Sequence, residues 1–439
     1  MLNKILSKDN YFKIFFIFLI LIAYYRSPYI FNNGRFFSLD LTYYFRALSL
    51  NFFDAITYID YAARYINLIS NISALISSKL FELDNAQFVS VYLSLLIYSI
   101  IFYLILFKES YLFKRKYQKF LGAFIVLIAP VMSFEIWLNA INLQVYLGIL
   151  TFIILFLKDK NKNVLIYFIL IGVSGLSGIY ACIFMPLFFL KYLNKKNSFN
   201  LICFLTITVC TFIQLLIIYK AIDIGISPLG ESNTALTFSK FEGVSFAHKF
   251  EAISFAYNVI IRSFFGSSFP VYLASFFNVD LVTVLHNENI RNFIFLFSVL
   301  IIILSLVFFV VATVSIKDYD EKLIYLILIF LFFITSFVII FGGVSMNVQG
   351  RYAALTGIIL IFSFLHLSSV SSFNFIKKLS TILIIFTIIS GVYDYRYKKF
   401  IYYLDCINCP NWSEEVRKYK LDKNYKPKNW PYHKQYLSN

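Results

Sequence analysis

Long apolar runs separated by short charged segments dominate the chain from end to end. A membrane-spanning helix needs about 20 predominantly apolar residues. The apolar runs predict about eleven transmembrane helices, at residues 11–25, 87–107, 120–132, 142–157, 164–173, 179–190, 201–219, 292–316, 323–341, 353–367 and 379–392. The predicted fold class is therefore an all-α polytopic membrane protein, with a transmembrane domain at 1–393 and a tail at 394–439.

The placement of the basic residues predicts the orientation. Nearly half of the 39 Lys and Arg residues lie in short segments, at 4–13, 108–119, 158–162, 191–196, 317–322 and 377–378. Short cytoplasmic loops are enriched in Lys and Arg, so we expect a cytoplasmic N-terminus. The loops at about 26–86 and 220–291 and the tail then lie outside. The sequence after the first span offers no small-residue cleavage site, so we expect that span to be a retained anchor.

Composition narrows the class of protein. Hydrophobic residues make up 60% and charged residues 14%, against about 45–50% and about 25% in soluble domains, and the mean hydropathy is +0.76. These values exclude a water-soluble enzyme, a nucleic-acid-binding protein and a disordered chain, and they make membrane lipids the expected surroundings. The formal charge of +16 is mainly an orientation signal. The predicted spans carry almost no ionisable residues beyond His366, which argues against an ion-coupled transporter.

The first outer loop contains a turn and a helical pattern. Asn32-Asn33-Gly34 predicts the turn. From 60 to 81, apolar residues recur at helical spacing, which predicts an interfacial amphipathic helix with a polar side. The apolar side carries Tyr61, Tyr65, Leu68, Ile72, Leu75 and Ile76, and the polar side carries Asp60, Arg64, Asn67, Asn71 and Ser78. Asp60 and Arg64 are four residues apart, so they could form an ion pair or serve a functional site.

The second outer loop places a carboxylate at the start of an apolar segment. On a helix, Glu135, Asn139 and Asn142 would share one face. A carboxylate at the membrane boundary is costly unless it is paired or used in function, and both readings stay open.

Short motifs occur in a fixed order along the whole chain. They are Asn32-Asn33-Gly34-Arg35-Phe36, Arg64, Glu135 with Asn139, Asn142 and Gln144, Leu176-Ser177-Gly178, Arg351-Tyr352, Trp412-Ser413-Glu414-Glu415 and Trp430-Pro431. In this order the chain resembles the GT-C superfold of membrane glycosyltransferases. It is more closely similar to a little-characterised group of bacterial polytopic proteins with that layout.

The resemblance implies transfer of a sugar from a polyprenyl-phosphate carrier to a glycan or lipid acceptor, at the outer face of a bacterial inner (plasma) membrane. Such a reaction needs a carboxylate as base, and cations or a divalent metal to stabilise the departing phosphate. No other cofactor is expected. The candidate bases are Glu135 and Asp40. The candidate substrate ligands are Arg26, Arg64, Arg351, Tyr352, Asn139, Asn142 and Gln144. For Arg26 and Arg351, anchoring to lipid headgroups is the alternative.

One departure from the family pattern supports a non-enzymatic alternative. Asn32-Asn33 stands where the family carries an acidic pair, and an amide cannot accept a proton from a hydroxyl group. The chain could therefore be an inactive scaffold of a glycan pathway. A polysaccharide polymerase or ligase is the other alternative. For it, the basic residues of the loop 220–291 would be the signal, unless they form an ordinary solvated surface: His248, Lys249, Arg262, His286 and Arg291.

The five cysteines fall into two groups. Cys182, Cys203 and Cys210 lie in predicted spans and are expected to be packing residues. Cys406 and Cys409 lie in the tail and could form a small disulfide loop in an oxidising compartment. A zinc site there would need two further ligands that the neighbouring sequence lacks.

Overall fold

The computed structural model describes residues 8–132, 134–158, 163–225, 252–253, 255–266, 288–342, 350–395 and 411–430. The described chain is mostly helical, with one two-stranded sheet. It divides into two compact units. The first unit comprises Met1–Ser110, Ile136–Ile226 and Arg396–Asn439, and the second comprises Tyr111–Glu135 and Ser227–Tyr395.

Among the described residues, six helices are long and apolar enough to cross a membrane: Leu83–Phe107, Ser198–Asp223, Asn292–Ser315, Tyr319–Val338, Tyr352–Val370 and Asn374–Tyr395. The prediction of a helical membrane protein is confirmed at this level. Several other predicted spans are shorter helices, such as Gln144–Leu155 and Val164–Gly175 at 12 residues each. At 1.5 Å per residue, such a helix covers about 18 Å of the roughly 30 Å of hydrocarbon. The count of eleven therefore stays a prediction.

The first unit contains most of the short elements. Its helices are Lys8–Arg26, Pro28–Asn33, Asp40–Ser49, Phe52–Ile56, Leu68–Leu80, Leu83–Ala86, Phe88–Phe107, Gln144–Leu155, Val164–Gly175, Cys182–Phe184 (3-10), Met185–Asn194, Ser198–Asp223 and Trp412–Leu421. Three of them begin at an asparagine whose side chain accepts a hydrogen bond from the first turn: Asn51, Asn67 and Asn197. Such N-caps satisfy backbone amides that the helix leaves without partners. Asn51 and Asn67 thereby fix the starts of two helices of the first loop.

Residues 60–81 do not form one amphipathic helix, so that prediction is wrong in its first half. Ile59–Asp60 and Tyr65–Ile66 pair as an antiparallel hairpin, and the helix begins only at Leu68. The Asp60 carboxylate accepts a hydrogen bond from Ala62 N at 3.1 Å, and Arg64 adopts a left-handed backbone with φ +61°. These two local features turn the chain back on itself. Hydrophobic spacing cannot reveal them, because the hairpin residues keep a helical period by coincidence.

The helix Leu68–Leu80 is also covered on the side predicted to be polar. Asn71 is buried and donates to Ile56 O at 3.0 Å and Tyr58 O at 2.8 Å. Asn67 is buried as well. The helix is therefore held inside the first unit, and its asparagines bond protein backbone.

The second unit is built on the long helices Glu288–Ser315, Tyr319–Gly342, Gly350–Val370 and Asn374–Tyr395, with Lys116–Ile128 beside them. A π-helical stretch, Phe255–Ile261, runs into the short helix Arg262–Phe265 and buries Phe255, Val259 and Phe264. This part of the predicted loop 220–291 is therefore not a solvated surface. Its apolar run is simply too short to be read as a span.

The tail packs on the first loop. One apolar cluster unites Phe36, Leu41, Tyr44, Leu83, Ala86, Trp412 and Val416. Trp412 Nε1 donates to Leu83 O at 2.9 Å. The tail segment 411–430 and the first loop therefore belong to one compact unit. We expect them to lie on one side of the membrane, with an even number of crossings between them. That this side is the outer one stays a prediction.

Candidate functional site

Asp40 is the buried carboxylate of the first loop. It begins the helix Asp40–Ser49 and is 5% exposed. Its carboxylate oxygens accept hydrogen bonds from Ala140 N at 3.2 Å and Ile141 N at 2.9 Å. Burial raises the pKa of Asp40 to about 7, against the opposing effect of the two amide bonds. The group therefore changes charge near neutral pH.

Unusual backbone geometry lies on both sides of this contact. Ser38, two residues before Asp40, has φ +47°, and Leu138, two residues before Ala140, has φ +48°. With Arg64, these are the positive-φ residues other than glycine in the described part of the chain. Non-glycine residues in this region cost about 1–3 kcal/mol each and cluster at functional sites. The strain marks the contact between Asp40 and residues 140–141 as a candidate site.

The second loop presents its amides through a turn and not through a helix. Only Phe134–Ile136 forms a short 3-10 turn, and the next helix begins at Gln144. Asn139 Oδ1 accepts from Asn142 N at 3.0 Å, and Asn139 Nδ2 donates to Trp137 O at 3.2 Å. The predicted shared helical face is therefore wrong, because Asn139 bonds its own local backbone and shapes the turn that faces Asp40.

The hairpin and the Leu176-Ser177-Gly178 motif support this turn. Leu68 N donates to Leu176 O at 2.9 Å, and Ile69 N donates to Ser177 Oγ at 3.0 Å. Gln144 Nε2 donates to the Tyr65 hydroxyl at 2.9 Å. The structure thus brings together the first loop, the second loop and this third motif, which lie far apart in sequence.

Gln214 secures the same region from the helix Ser198–Asp223. Its Oε1 accepts from Ile66 N at 3.1 Å, and its Nε2 donates to Ile66 O at 3.2 Å and Gly175 O at 3.0 Å. The side chain completes a strand-like pairing with the hairpin inside the first unit. Arg64 lies two residues before Ile66, so the same pairing fixes the position of its backbone.

Arg26 is buried and does not lie at the surface, where a lipid-headgroup anchor would be. Its guanidinium carbon lies 4.2 Å from the centroid of the Trp137 ring, a cation–π contact. The helix Lys8–Arg26 therefore contributes a cation next to the second-loop turn.

The sequence reasoning missed a second set of groups on the helix Asp40–Ser49. The guanidinium carbon of Arg46 lies 4.3 Å from the centroid of the Tyr58 ring. Burial raises the pKa of Tyr43, Asp60 raises it further, and Arg46 lowers it. Tyr43, Arg46 and Tyr58 line a cavity of about 10 Å³, enough for about one water molecule. The helical spacing of Asp40, Tyr43 and Ala47 was the signal that could have identified this buried face.

Glu135 belongs to the second unit, where it lies near Arg262. Burial lowers the pKa of Arg262, and Asp394 and Glu135 raise it. Arg262 Nε also donates to Pro130 O at 3.4 Å. The structure therefore places the two predicted bases, Asp40 and Glu135, in different units.

The remaining predicted site residues are less informative. Tyr352 is partly buried in the helix Gly350–Val370, and the side chain of Arg351 lies outside the described residues. So do Cys406, Cys409, His248, Lys249, His286 and the side chain of Arg291. Asn32 is exposed. Within the described ranges, no three His, Cys, Asp or Glu side chains are grouped to hold a metal ion. Cys203 and Cys210 are buried and Cys182 is partly buried, and none of the three forms a disulfide, as expected of packing residues.

Comparison with known proteins gave no match to a family model, to a curated protein or to a solved structure.

Proposed function

We propose that the chain is a membrane glycosyltransferase that moves a sugar from a lipid-phosphate carrier to a hydroxyl acceptor, with Asp40 as the catalytic base. The observation that carries the proposal is the buried Asp40 carboxyl group, whose pKa is about 7. A general base is most effective when its pKa lies near the working pH. Strained backbone near such a group, here at Ser38 and Leu138, is typical of reaction sites.

The proposed reaction needs one proton transfer. The Asp40 carboxylate takes the proton of the acceptor hydroxyl while that oxygen forms a bond to the anomeric carbon. The bond between the anomeric carbon and the carrier's phosphate oxygen breaks, and its electron pair stays on the phosphate. The phosphate then needs a cation, because it leaves with additional negative charge.

The first unit offers arginines for the phosphate. The Arg26 guanidinium lies against the ring of Trp137. Trp137 is followed in sequence by the turn whose backbone amides bond Asp40. Arg46 lies on the same helix as Asp40, and Arg64 lies in the hairpin. Arginine binds phosphate oxygens in a bidentate manner, which suits this role. We place the reaction at the outer face of a bacterial plasma membrane, where a glycan or lipid would be the acceptor.

A catalytically inactive scaffold is the alternative, and one observation favours it. Both hydrogen bonds to Asp40 come from protein backbone, and the side chain is 5% exposed. A purely structural carboxylate would look the same. In that case Asn32, exposed in the first loop, would stand where the family's acidic group has been lost.

A transfer assay separates the two. The purified protein in lipid vesicles is given labelled sugars on polyprenyl phosphate, and transfer to an acceptor lipid is measured. Asp40→Asn should lower the rate by about 10²–10⁴-fold, since a positioned base contributes about that much. The native rate should rise with pH, reach half of its maximum near pH 7 and level off above it. Asp54→Asn, an exposed carboxylate of the same loop, is the matched control and should keep the native rate.

The outcomes are distinct. A folded Asp40→Asn protein with undiminished transfer refutes the base assignment. Loss of transfer in Glu135→Gln alone would move the reaction to the second unit. A native protein inactive with every donor supports the scaffold.

A further inference from the structure

The tail segment 411–430, which we call the tail clamp, is bonded to the backbone just ahead of Asp40. Trp430 N donates to Phe36 O at 2.9 Å, and Ser38 N donates to Trp430 O at 2.5 Å. Asn429 Nδ2 also donates to Ser38 O. Three hydrogen bonds therefore link the tail clamp to residues 36–38. Ser38, in this segment, has φ +47°.

The clamp is anchored at its other end as well. Its helix Trp412–Leu421 packs Trp412 and Val416 into the apolar cluster of the first loop, which includes Leu41 and Tyr44 beside Asp40. Arg35 bonds Lys428 O at 2.8 Å. Since the clamp touches the chain both before and after Asp40, it fixes the start of the helix Asp40–Ser49.

A buried glutamate holds the clamp in its folded shape. Glu415 is fully buried. Its Oε2 accepts from the Tyr425 hydroxyl at 2.7 Å and from Lys428 N at 2.9 Å. These bonds join the clamp helix to the returning extended segment that ends at Asn429 and Trp430. Glu414, its neighbour in sequence, is exposed.

We propose that the tail clamp is a positioning element for Asp40, with Glu415 and Asn429 as its positioning residues. The proposal deepens the proposed function but rests on geometry that is independent of it. The clamp holds Ser38 in the left-handed conformation, which keeps the Asp40 carboxylate buried against the amides of residues 140 and 141. Without the clamp, Ser38 relaxes and water reaches the carboxylate.

Titratable and charged groups lie on the elements packed around Asp40. Its own helix carries Tyr43, Tyr44 and Arg46, the packed helix Leu68–Leu80 carries Lys79, and the clamp carries Glu414, Glu415, Arg417, Lys418, Tyr419, Lys420, Asp422, Lys423, Tyr425, Lys426 and Lys428. Among the described residues none of them contributes to the pKa of Asp40, which burial and the two amides set. A change in the titration of Asp40 therefore reports its burial.

The test compares four full-length variants in detergent. Glu415→Ala and Asn429→Ala break the clamp's bonds. Glu415→Gln keeps an oxygen that can accept both bonds, and Glu414→Ala removes a matched exposed carboxylate. Docking is followed by acrylamide quenching of tryptophan fluorescence, because two of the three tryptophans lie in the clamp. The state of Asp40 is followed by the pH dependence of the melting midpoint between pH 4 and pH 8, which needs no substrate.

We expect stronger quenching in Glu415→Ala and Asn429→Ala, and an Asp40 titration that moves from about pH 7 toward acid pH. Glu415→Gln and Glu414→Ala should behave like the native chain. A clamp that stays docked in both alanine variants overturns the role of Glu415 and Asn429. An undocked clamp with an unchanged titration overturns the positioning of Asp40. Neither result depends on transfer activity, so failure of the proposed function is seen separately in the transfer assay.

Discussion

Replacing Asp40 by asparagine removes one buried titratable group and almost no volume. The asparagine oxygen can still accept the hydrogen bond from Ile141 N. The amide nitrogen would then face Ala140 N, so one buried backbone donor loses its acceptor. The variant therefore exchanges a group that changes charge near neutral pH for one that is always neutral.

The magnitude follows from the pKa. Folding raises the pKa of Asp40 from 3.8 to about 7, which corresponds to about 4 kcal/mol at about 1.4 kcal/mol per pH unit. The folded state holds the proton more tightly than the unfolded state. The contribution is therefore present in full below about pH 4 and is lost as the pH rises through 7. In the asparagine variant this loss is absent, but the unpaired amide costs about 1–3 kcal/mol.

The two effects predict crossing stability curves. Asp40→Asn should be slightly less stable than the native chain at pH 4 and more stable at pH 8, by about 1–3 kcal/mol. The melting midpoint of the detergent-solubilised protein, measured at half-unit steps of pH, checks this. Asp54→Asn should keep the native pH dependence, because Asp54 is exposed. An Asp40→Asn protein whose midpoint falls between pH 4 and pH 7 as steeply as the native one would refute the buried titration of Asp40.

Three further outcomes are expected. Gly178→Ala should destabilise the first unit by about 2 kcal/mol or more, because Gly178 has φ +117° and an added Cβ would clash with Gln144 Oε1. A melting midpoint equal to that of the native chain would contradict this. Gln214→Leu leaves backbone groups of Ile66 and Gly175 without partners and should cost about 2–4 kcal/mol, measured in the same way; a loss below about 1 kcal/mol would show that the hairpin rebonds elsewhere. Lys420→Cys and Phe53→Cys should react with a membrane-impermeant maleimide from the same side, since Phe53 is 75% exposed and lies in the first loop on which the tail packs; labelling from opposite sides would separate the tail from the first loop.

The long spans could be predicted because each is a local property. A run of about 20 apolar residues can satisfy its backbone in lipid only as a helix, so the helices Leu83–Phe107 and Ser198–Asp223 follow from the sequence alone. The short elements could not be predicted in this way. The hairpin at Tyr65–Ile66 depends on Gln214, which lies 148 residues away from Ile66, and spacing within a window of residues carries no record of such a partner.

The candidate site shows the same division. Asp40 and Glu135 are both recognisable from the sequence as carboxylates close to the family-like motifs, but the sequence treats them as equals. In the structure their surroundings differ. The Asp40 carboxylate accepts hydrogen bonds from two backbone amides, whereas Glu135 lies beside Arg262. Arg46 carries no motif at all, and its contact with Tyr58 becomes visible only in the folded loop.

The sequence by itself therefore determined that this is a helical membrane protein with most of its varied polar residues in two loops and a tail. Apolar length and charge placement are sufficient for that, because the bilayer imposes them on each segment separately. Only the tertiary structure decided that the tail lies on the first loop and that Asp40 is buried there. Burial and hydrogen bonding are set by residues remote in sequence, and they determine whether a carboxylate is an ordinary charge or a group that titrates near pH 7.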